Sequence, residues 1–334
     1  MEVYINVKKF GKIKEARINI SNFTVFVGNN NSGKTQLMQL IYAVIKSISR
    51  MAPDIVLSKI SDIEGFRIGK KEIEELNIWI NRYLMRNIER IIEDTFNVAI
   101  PIKEISVDFE NYADFKRELY FLRGKTLEYL LEKKMITFDQ LSQVVQRQEK
   151  MVPMLILPVE RPKKDDGFGI TLWFGNQIPL KMMKNIGIEY ILSDIMGFSN
   201  FTSSNMLFLP ASRTGLLLLY KYYFVNQDKK IEKIDVVTQS RQGIAEPVSD
   251  FLSFLMTYNY AERSAKKNQK LIRFISNHLI DGRISEKGEA TVYTPRSTEK
   301  EIPLFAASSM VNEVTPILKA LTDSKAVNFI FYDE

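Results

Sequence analysis

The sequence predicts an α/β fold on the basis of three features. A β-branched and aromatic run at residues 23–27 leads into a glycine-bounded loop, and residues 36–45 follow with the apolar spacing of a buried helix. A second apolar run at residues 327–332 has the length and composition of a buried strand. The chain between these two runs contains many apolar residues at helical spacing. Strand, loop and helix in this order are typical of a parallel sheet flanked by helices.

The remaining elements follow from local residue patterns. β-Branched or alternating apolar runs predict strands at residues 3–7, 16–20, 105–109, 206–209 and 290–293, and a strand or hairpin at residues 167–178. Apolar residues three and four positions apart predict helices at residues 70–96, 112–132, 137–148 and 247–278, and another from Ser308 onward. Gly11 marks the turn between the first two strands, and Pro210 ends the strand at 206–209. The middle of the chain is therefore predicted to be mainly helical.

Composition excludes several kinds of chemistry. The 334 residues are 45% hydrophobic, which is enough for at least one substantial core. Cysteine is absent, so disulfides, thiolate metal sites and cysteine nucleophiles are excluded. The single histidine, His278, has no partner pattern around it, which argues against zinc proteases, histidine-dependent nucleases and Ser-His-Asp hydrolases. We expect His278 to be structural.

Charge and hydropathy indicate a cytoplasmic protein with no membrane segment. The N-terminal residues lack the basic start and the apolar region of a secretory signal. The most apolar stretch, residues 206–225, is interrupted by Pro210, Arg213 and Lys221, so it is too polar to span a membrane. Lys and Arg number 46 against 40 Asp and Glu, and this excess of +6 permits contact with nucleic acid without requiring it.

The loop after residues 23–27 matches a phosphate-binding pattern, the P-loop. It fits G-x-x-x-x-G-K-[ST] at every position. Glycine at both ends lets successive backbone N–H groups point inward at phosphates, with the positive end of the following helix behind them. Lys34 is predicted to bridge the β and γ phosphates of ATP, and Thr35 to hold Mg²⁺ through its hydroxyl. The predicted nucleotide-binding residues are Gly28, Asn29, Asn30, Asn31, Ser32, Gly33, Lys34, Thr35 and Gln36.

The last predicted strand ends in two acidic residues. P-loop enzymes need a carboxylate at the end of a neighbouring buried strand, which holds Mg²⁺ through its water shell. Asp333 is predicted to serve the metal together with Thr35. Glu334 is predicted to polarise the attacking water, and is the catalytic residue together with Lys34. The sequence therefore predicts an ATPase site built from the two ends of the chain.

Together these motifs resemble the ABC-type ATPases of the SMC, RecF and OLD group. The loop is similar to the G-x-N-x-S-G-K-[ST] form of that group, and residues 209–215 resemble a strand-end motif of its OLD-like members. The resemblance implies a P-loop NTPase fold with an ABC-ATPase-like head, in which antiparallel N-terminal strands accompany a parallel core sheet. It assigns residues 1–65 and 161–334 to the two parts of this head, and residues 66–160 to a helical insertion.

The resemblance also implies a homodimer, or a higher homo-oligomer, joined through ATP. Ser308 and Ser309 occupy the place of the ABC signature, whose serine and helix N-terminus cap the γ-phosphate held by another subunit. A helix N-terminus offers free N–H groups and a positive dipole end to such an anion. Met310 stands where the signature usually has glycine, which argues against close backbone approach to the phosphate. The alternative, that Ser308 and Ser309 only cap a helix, stays open.

Three further features of the family pattern are unresolved in the sequence. Arg213 is expected either to face the nucleotide or the dimer partner, or to neutralise a local acid. Members of the group continue past the Asp-Glu pair, so we expect the natural protein to extend beyond Glu334. The glutamine that joins the nucleotide site to the helical region is not assigned among Gln143, Gln146, Gln148 and Gln177.

The function implied is an ATP-dependent dimerisation switch that controls a partner effector or nuclease, with a role in anti-phage defence. One alternative is a RecF- or SMC-like DNA-binding ATPase in DNA repair. Another is the ATPase portion of an OLD-type nuclease whose Toprim domain is absent from these residues. DNA contact is expected from basic residues along one side of the predicted helix at 247–278, unless they form an ordinary solvated face; these residues are Arg263, Lys266, Lys267, Lys270 and Arg273.

Overall fold

The computed structural model divides the chain into two compact units. Unit 1 comprises Met1–Phe26, Ile48–Ile88 and Ile102–Phe201, and unit 2 comprises Val27–Ser47, Glu89–Pro101 and Thr202–Glu334. Within these bounds the structure describes residues 2–21, 23–50, 65–113, 117–123, 132, 154–159, 168–174, 195, 206–220, 244–287, 290–325, 327 and 329–333. The head and insertion boundaries at residues 65 and 160 stay a prediction.

Unit 1 contains an antiparallel sheet of three strands in the order β2-β1-β4. These strands are β1 (Glu2–Phe10), β2 (Ile13–Asn19) and β4 (Glu104–Glu110). Ile5 of β1 pairs with Ile18 and Val107 in the neighbouring strands, and all three are buried. Gly11 has a φ of 53°, the left-handed conformation that suits glycine in the tight turn between β1 and β2. The strands predicted at residues 3–7, 16–20 and 105–109 are confirmed.

The long helix α2 (Lys70–Phe96) follows the predicted bounds, and α1 (Lys34–Arg50) precedes it in the chain. Apolar side chains at helical spacing in α2, among them Ile73, Ile80 and Leu84, are buried as their pattern predicts. Asn81 accepts a hydrogen bond from the Val107 amide and donates one to its carbonyl, both at 2.8 Å. A side-chain amide on the helix thereby satisfies both polar groups of one residue of β4.

A second sheet in unit 1 corrects the prediction of a mainly helical middle region. Its order is β3-β5-β7-β6, with β5 and β7 parallel. The strands are β3 (Gly65–Ile68), β5 (Arg117–Arg123), β6 (Met154–Val159) and β7 (Phe168–Phe174). The helix predicted at residues 112–132 is wrong at β5, because pairing with β3 and β7 outweighs the local apolar spacing. The helix predicted at residues 137–148 lies outside the described residues.

Unit 2 is built around two parallel strands, β8 (Met206–Leu209) and β12 (Phe329–Tyr332). All four residues of β8 are buried, and Pro210 follows directly, as predicted. Tyr42 of α1 packs edge-on against Phe208 and Phe331, with ring centroids 5.5 and 5.2 Å away. Helix α1 therefore covers one face of this strand pair.

The strand predicted at residues 23–27 does not form. Phe23, Val25 and Val27 are exposed, and this segment forms no ladder with any of the described strands. A run of β-branched and aromatic residues favours an extended chain, but a strand also needs a partner for its backbone groups. The local pattern predicted the extended conformation but could not predict whether a partner strand is present.

The C-terminal part of unit 2 surrounds one apolar core. Its helices are α3 (Arg213–Tyr220), α4 (Glu246–Thr257), α5 (Glu262–Lys267), α6 (Gln269–Phe274) and α7 (Ser309–Thr322), with a π turn at Ile275–Leu279. Three antiparallel strands complete it, β9 (Gly282–Lys287), β10 (Ala290–Pro295) and β11 (Ile302–Pro303). Leu209, Phe251, Ile275, Leu304 and Leu318 all belong to this core.

The single helix predicted at residues 247–278 is wrong, because the chain breaks it into α4, α5 and α6. The first break is at Tyr260, which forms a bridge with Asp323. The second is at Asn268, whose side-chain amide donates to the Leu321 carbonyl at 2.7 Å. Both breaks depend on contacts with distant residues, Asp323 and Leu321, so the local sequence pattern did not reveal them.

Candidate nucleotide site

The P-loop at residues 28–35 winds tightly before α1. The Ser32 amide donates to the Asn29 carbonyl at 3.3 Å, and Asn31 and Gly33 adopt positive φ angles of 62° and 95°. Alternation of right- and left-handed residues turns successive amides to one side, which is the geometry of an anion nest. Leu37 donates to the Gly33 carbonyl at 2.9 Å and starts the hydrogen-bond pattern of α1. The loop thus leads directly into a helix N-terminus, where an anion is favoured.

The side chain of Lys34 folds back over this loop. Its ammonium donates to the carbonyls of Gly28 and Asn29, each at 2.8 Å. A Cβ atom added to Gly28 would lie 3.3 Å from the Ser32 hydroxyl, so the turn is closely packed at its start. Two neutral carbonyls are weaker partners for an ammonium than phosphate oxygens. Lys34 is therefore held beside the loop with partners that a phosphate group can replace.

Thr35 and Asp333 meet in unit 2. The Thr35 hydroxyl donates to a carboxylate oxygen of Asp333 at 2.8 Å. The Asp333 amide donates to the Leu209 carbonyl at 3.0 Å, which extends the pairing of β8 and β12 by one step and fixes where the carboxylate leaves the sheet. A hydroxyl and a carboxylate are the hard oxygen ligands that Mg²⁺ prefers, so these residues fit the metal. Glu334, the predicted catalytic residue, lies outside the described residues.

Arg213 contacts the same strand end. It is only 3% exposed. One of its terminal nitrogens, Nη1, donates to the Asp333 carbonyl at 2.7 Å, and the other, Nη2, lies 3.5 Å from the Glu313 carboxylate. Nη2 also donates to the Tyr332 hydroxyl, and the guanidinium carbon lies 4.2 Å from the centre of the Tyr332 ring. Of the two expected roles, contact with a local acid is observed, together with backbone contact that the sequence did not suggest.

A buried lysine anchors α1, the helix that carries the P-loop. Lys46 is 3% exposed and forms ion pairs with Asp250 and with Glu246, the latter at 2.9 Å. Tyr42, one turn earlier, donates its hydroxyl to Asp250 at 2.6 Å. Sequence reasoning missed this cluster. A lysine on the apolar side of a buried helix was the available signal, because such a charge requires an acidic partner.

The N-terminus of α7 is exposed to solvent. Ser308 is the N-cap residue, and its hydroxyl accepts from the Val311 amide at 3.4 Å, while Ser309 begins the helix. Ser308, Ser309 and Met310 are all exposed. The capping role is therefore observed, and an exposed end is also what contact with a second subunit requires. The role of the two serines in such a contact stays a prediction.

The five basic residues proposed for nucleic-acid contact do not lie on one helix. Arg263, Lys266 and Lys267 belong to α5, and Lys270 and Arg273 to α6, on either side of the break at Asn268. All five are exposed, and Lys266 pairs with Glu262 at 2.8 Å. His278 is exposed and lies against the Phe274 ring, with centroids 5.0 Å apart. The four candidate glutamines at positions 143, 146, 148 and 177 lie outside the described residues.

Comparison with known families agrees with the loop geometry. Residues 1–166 match the AAA ATPase domain. This region includes the whole P-loop, so the match supports nucleotide binding and ATPase activity for the chain. The strand that carries Asp333 lies outside the matched region. No curated protein and no solved structure matches the chain. None of the helices in the described ranges has the length and apolar character needed to cross a membrane.

Proposed function

We propose that this chain is a Mg²⁺-dependent ATPase whose nucleotide state switches a homodimer that controls a partner effector or nuclease. The hydrogen bond between Thr35 and Asp333 carries the ATPase part of this proposal. It joins the last residue of the P-loop pattern to the acid that follows β12, the strand that runs parallel to the buried strand β8. These are two parts of one magnesium site, and they come from opposite ends of the chain.

In this proposal each residue has a defined task. Lys34 exchanges its two carbonyl partners for the β and γ phosphate oxygens of ATP, which neutralises charge that develops in the transition state. Thr35 and Asp333 would hold Mg²⁺, which would supply positive charge that stabilises the phosphate groups. Glu334 orients and polarises the attacking water. Backbone amides of residues 28–35 and the N-terminus of α1 hold the phosphate chain.

The dimer part of the proposal is supported by the exposed start of α7. Ser308 and Ser309 lie at a helix N-terminus that faces solvent, so a phosphate held by a second copy could approach it. The resemblance to OLD-like ATPases suggests a role in anti-phage defence in the cytoplasm. The alternatives are a RecF- or SMC-like repair ATPase and the ATPase portion of an OLD-type nuclease.

Nucleotide binding is tested first, with Lys34→Ala and a fluorescent ATP analogue. Loss of two charge-assisted hydrogen bonds should weaken affinity by about 100-fold or more. Lys71→Ala, which removes an exposed lysine from α2, is the matched control and should bind as the unaltered protein does. Retention of ATP affinity in Lys34→Ala would overturn the P-loop assignment.

The switch is tested by sedimentation of Glu334→Gln, which should retain ATP because hydrolysis is blocked. ATP should raise its mass to that of a dimer, and the same change should be absent from Lys34→Ala/Glu334→Gln. Ser309→Ala should weaken this dimer without affecting ATP binding by the monomer. A mass unchanged by ATP in Glu334→Gln would exclude the dimerisation switch.

Nucleic-acid contact is a second candidate function, and the exposure of all five basic side chains favours it. Their neutralisation of phosphates would release counterions, so affinity for DNA should fall steeply with salt. Replacement of Arg263, Lys267 and Lys270 by Ala should reduce the slope of log affinity against log salt concentration by the amount expected for about three phosphate contacts. Lys70→Ala/Lys71→Ala/Arg86→Ala, with three exposed positions on α2, is the control. Equal DNA affinity in both triple variants would exclude the basic residues of α5 and α6.

A further inference from the structure

Arg213 is a charged side chain in a position where burial is costly. It begins α3 after a short turn that follows the strand-ending Pro210, and it is nearly inaccessible to solvent. Its Nε atom has no hydrogen-bond partner among the described residues. A buried guanidinium persists where its remaining donors are well used. The contacts of its other two nitrogens, Nη1 and Nη2, must therefore offset the cost of burial.

The contact with Glu313 is a weak one. The two charged groups are 3.5 Å apart, and the Glu313 side chain is 46% exposed. An ion pair with such geometry contributes little, because water screens the exposed partner. Neutralisation of this acid therefore does not account for the burial of Arg213.

The stronger contacts are with the end of β12. The donor-to-acceptor distance to the Asp333 carbonyl is 2.7 Å, in the range of a charge-assisted hydrogen bond. The guanidinium also stacks on the Tyr332 ring and donates to its hydroxyl. A further bond of 3.3 Å to the Pro210 carbonyl ties the same group to the end of β8. Arg213 thus clamps the ends of both parallel strands.

We propose that Arg213 is a positioning residue for the magnesium ligand Asp333. Its guanidinium fixes the Asp333 carbonyl on one side, and the Leu209 carbonyl fixes the Asp333 amide on the other. With both polar groups of its backbone held, Asp333 directs its carboxylate to Thr35. This inference rests on the proposed ATPase function, and it adds a residue that touches neither the nucleotide nor the metal.

The test separates magnesium dependence from nucleotide binding. Affinity for a fluorescent ATP analogue is measured in EDTA and across a Mg²⁺ titration for the unaltered protein and for Arg213→Met. Loss of a residue that orients a metal ligand typically weakens metal binding by about tenfold or more. We therefore expect Arg213→Met to need about ten times more Mg²⁺ to reach half of the magnesium-dependent gain in nucleotide affinity. Its affinity in EDTA should stay within about twofold of the original, because Lys34 and the loop are untouched.

Two further variants keep the test decisive if Arg213→Met folds poorly. Arg213→Lys retains the charge but offers only one ammonium for several acceptors, so it should show an intermediate magnesium requirement. Glu313→Gln removes the carboxylate partner of the same guanidinium and should leave the magnesium requirement unchanged. A merely structural or ion-pairing role would not produce this order.

Each other result has a defined meaning. An unaltered magnesium requirement in folded Arg213→Met or Arg213→Lys would overturn the positioning role. Equal loss of affinity with and without Mg²⁺ would also overturn it, because Arg213 would then support the loop instead of the metal ligand. If the unaltered protein bound no nucleotide, the proposed ATPase function itself would fail, and this inference with it.

Discussion

The Thr35 hydroxyl and the Asp333 carboxylate are hydrogen-bonded at 2.8 Å, although 298 positions separate them in the chain. Asp333 is 8% exposed, so its carboxylate is largely removed from water. Among the described residues, this carboxylate accepts its hydrogen bond from the neutral Thr35 hydroxyl, so a cation beside it would be favoured. The pair therefore has the chemistry of a site that gains from binding a divalent metal.

Asp333→Asn should separate metal binding from nucleotide binding. The asparagine carbonyl can still accept from Thr35, but the negative charge that attracts Mg²⁺ is removed. We expect the magnesium-dependent gain in ATP affinity to fall by about tenfold or more. Affinity in EDTA should not decrease. Both are measured by titration of a fluorescent ATP analogue.

Asp323→Asn is the matched control. Asp323 is also buried, but its carboxylate accepts hydrogen bonds from the backbone amides of Asn259 and Lys325. It should leave the magnesium response unchanged even if it lowers stability. An Asp333→Asn protein with the full magnesium response would show that Asp333 does not serve the metal.

Ser308 and Ser309 should differ in their effects on stability. The Ser308 hydroxyl caps α7, so Ser308→Ala should lower the free energy of unfolding by about 0.5–1 kcal/mol. Ser309 has helical geometry and an exposed side chain, so Ser309→Ala should be nearly neutral. Urea unfolding of the two variants measures this difference. Equal destabilisation by both would contradict a cap formed by Ser308 alone.

The residues of the P-loop could be predicted because their chemistry is local. Glycines, lysine and threonine at fixed spacing determine the turn, the cation and the hydroxyl within eight consecutive positions. The contacts of Arg213 could not be predicted in this way. Tyr332 and Glu313 lie 119 and 100 positions away, and the register of β8 with β12 and the packing of α7 bring them together.

The fold was predictable where one pattern determined one element. Helix α2 and strand β4 have the predicted bounds within a residue, because their apolar residues repeat at one clear period over their whole length. Residues 117–123 formed a strand instead of a helix because neighbouring strands supply their backbone partners. The end of α5 at Asn268 depends on a hydrogen bond to Leu321, which no local pattern contains.

The ion pairs of Lys46 on α1 should contribute strongly to the free energy of unfolding. Lys46→Met keeps the apolar stem but leaves Asp250 and Glu246 without their cation. Because these acids are 28% and 24% exposed, the cost should be about 2–3 kcal/mol, below that of a fully buried pair. Urea unfolding measures it.

A double variant that also carries Asp250→Asn tests the ion pair. In Lys46→Met/Asp250→Asn the carboxylate charge that Lys46→Met leaves without its cation is removed at Asp250. The double variant should therefore be more stable than the sum of the two single effects predicts. Strict additivity would show that the ion pair seen between Lys46 and Asp250 does not contribute to stability.

Tyr258 should make stability sensitive to alkaline pH. Burial raises the pKa of its phenol above the ordinary value, while a hydrogen bond with Thr322 acts in the opposite direction. A raised pKa means that the folded state holds the phenolic proton more tightly than the unfolded state does. This contribution is fully present below the unfolded pKa of about 10 and is lost as the pH rises through the folded value.

Tyr258→Phe should therefore be more destabilising at pH 8 than at pH 11. At the lower pH the phenylalanine loses the bond to Thr322, at a cost of about 1 kcal/mol. At the higher pH the unaltered protein is destabilised, because Tyr258 must either keep its proton or carry a charge in a partly buried position. Phenylalanine has no proton to lose and avoids this cost. Urea unfolding at both values measures the two differences. Tyr260→Phe, at an exposed tyrosine, controls for the general effect of alkali. A Tyr258→Phe effect that is constant or grows with pH would contradict a raised pKa for this half-buried phenol.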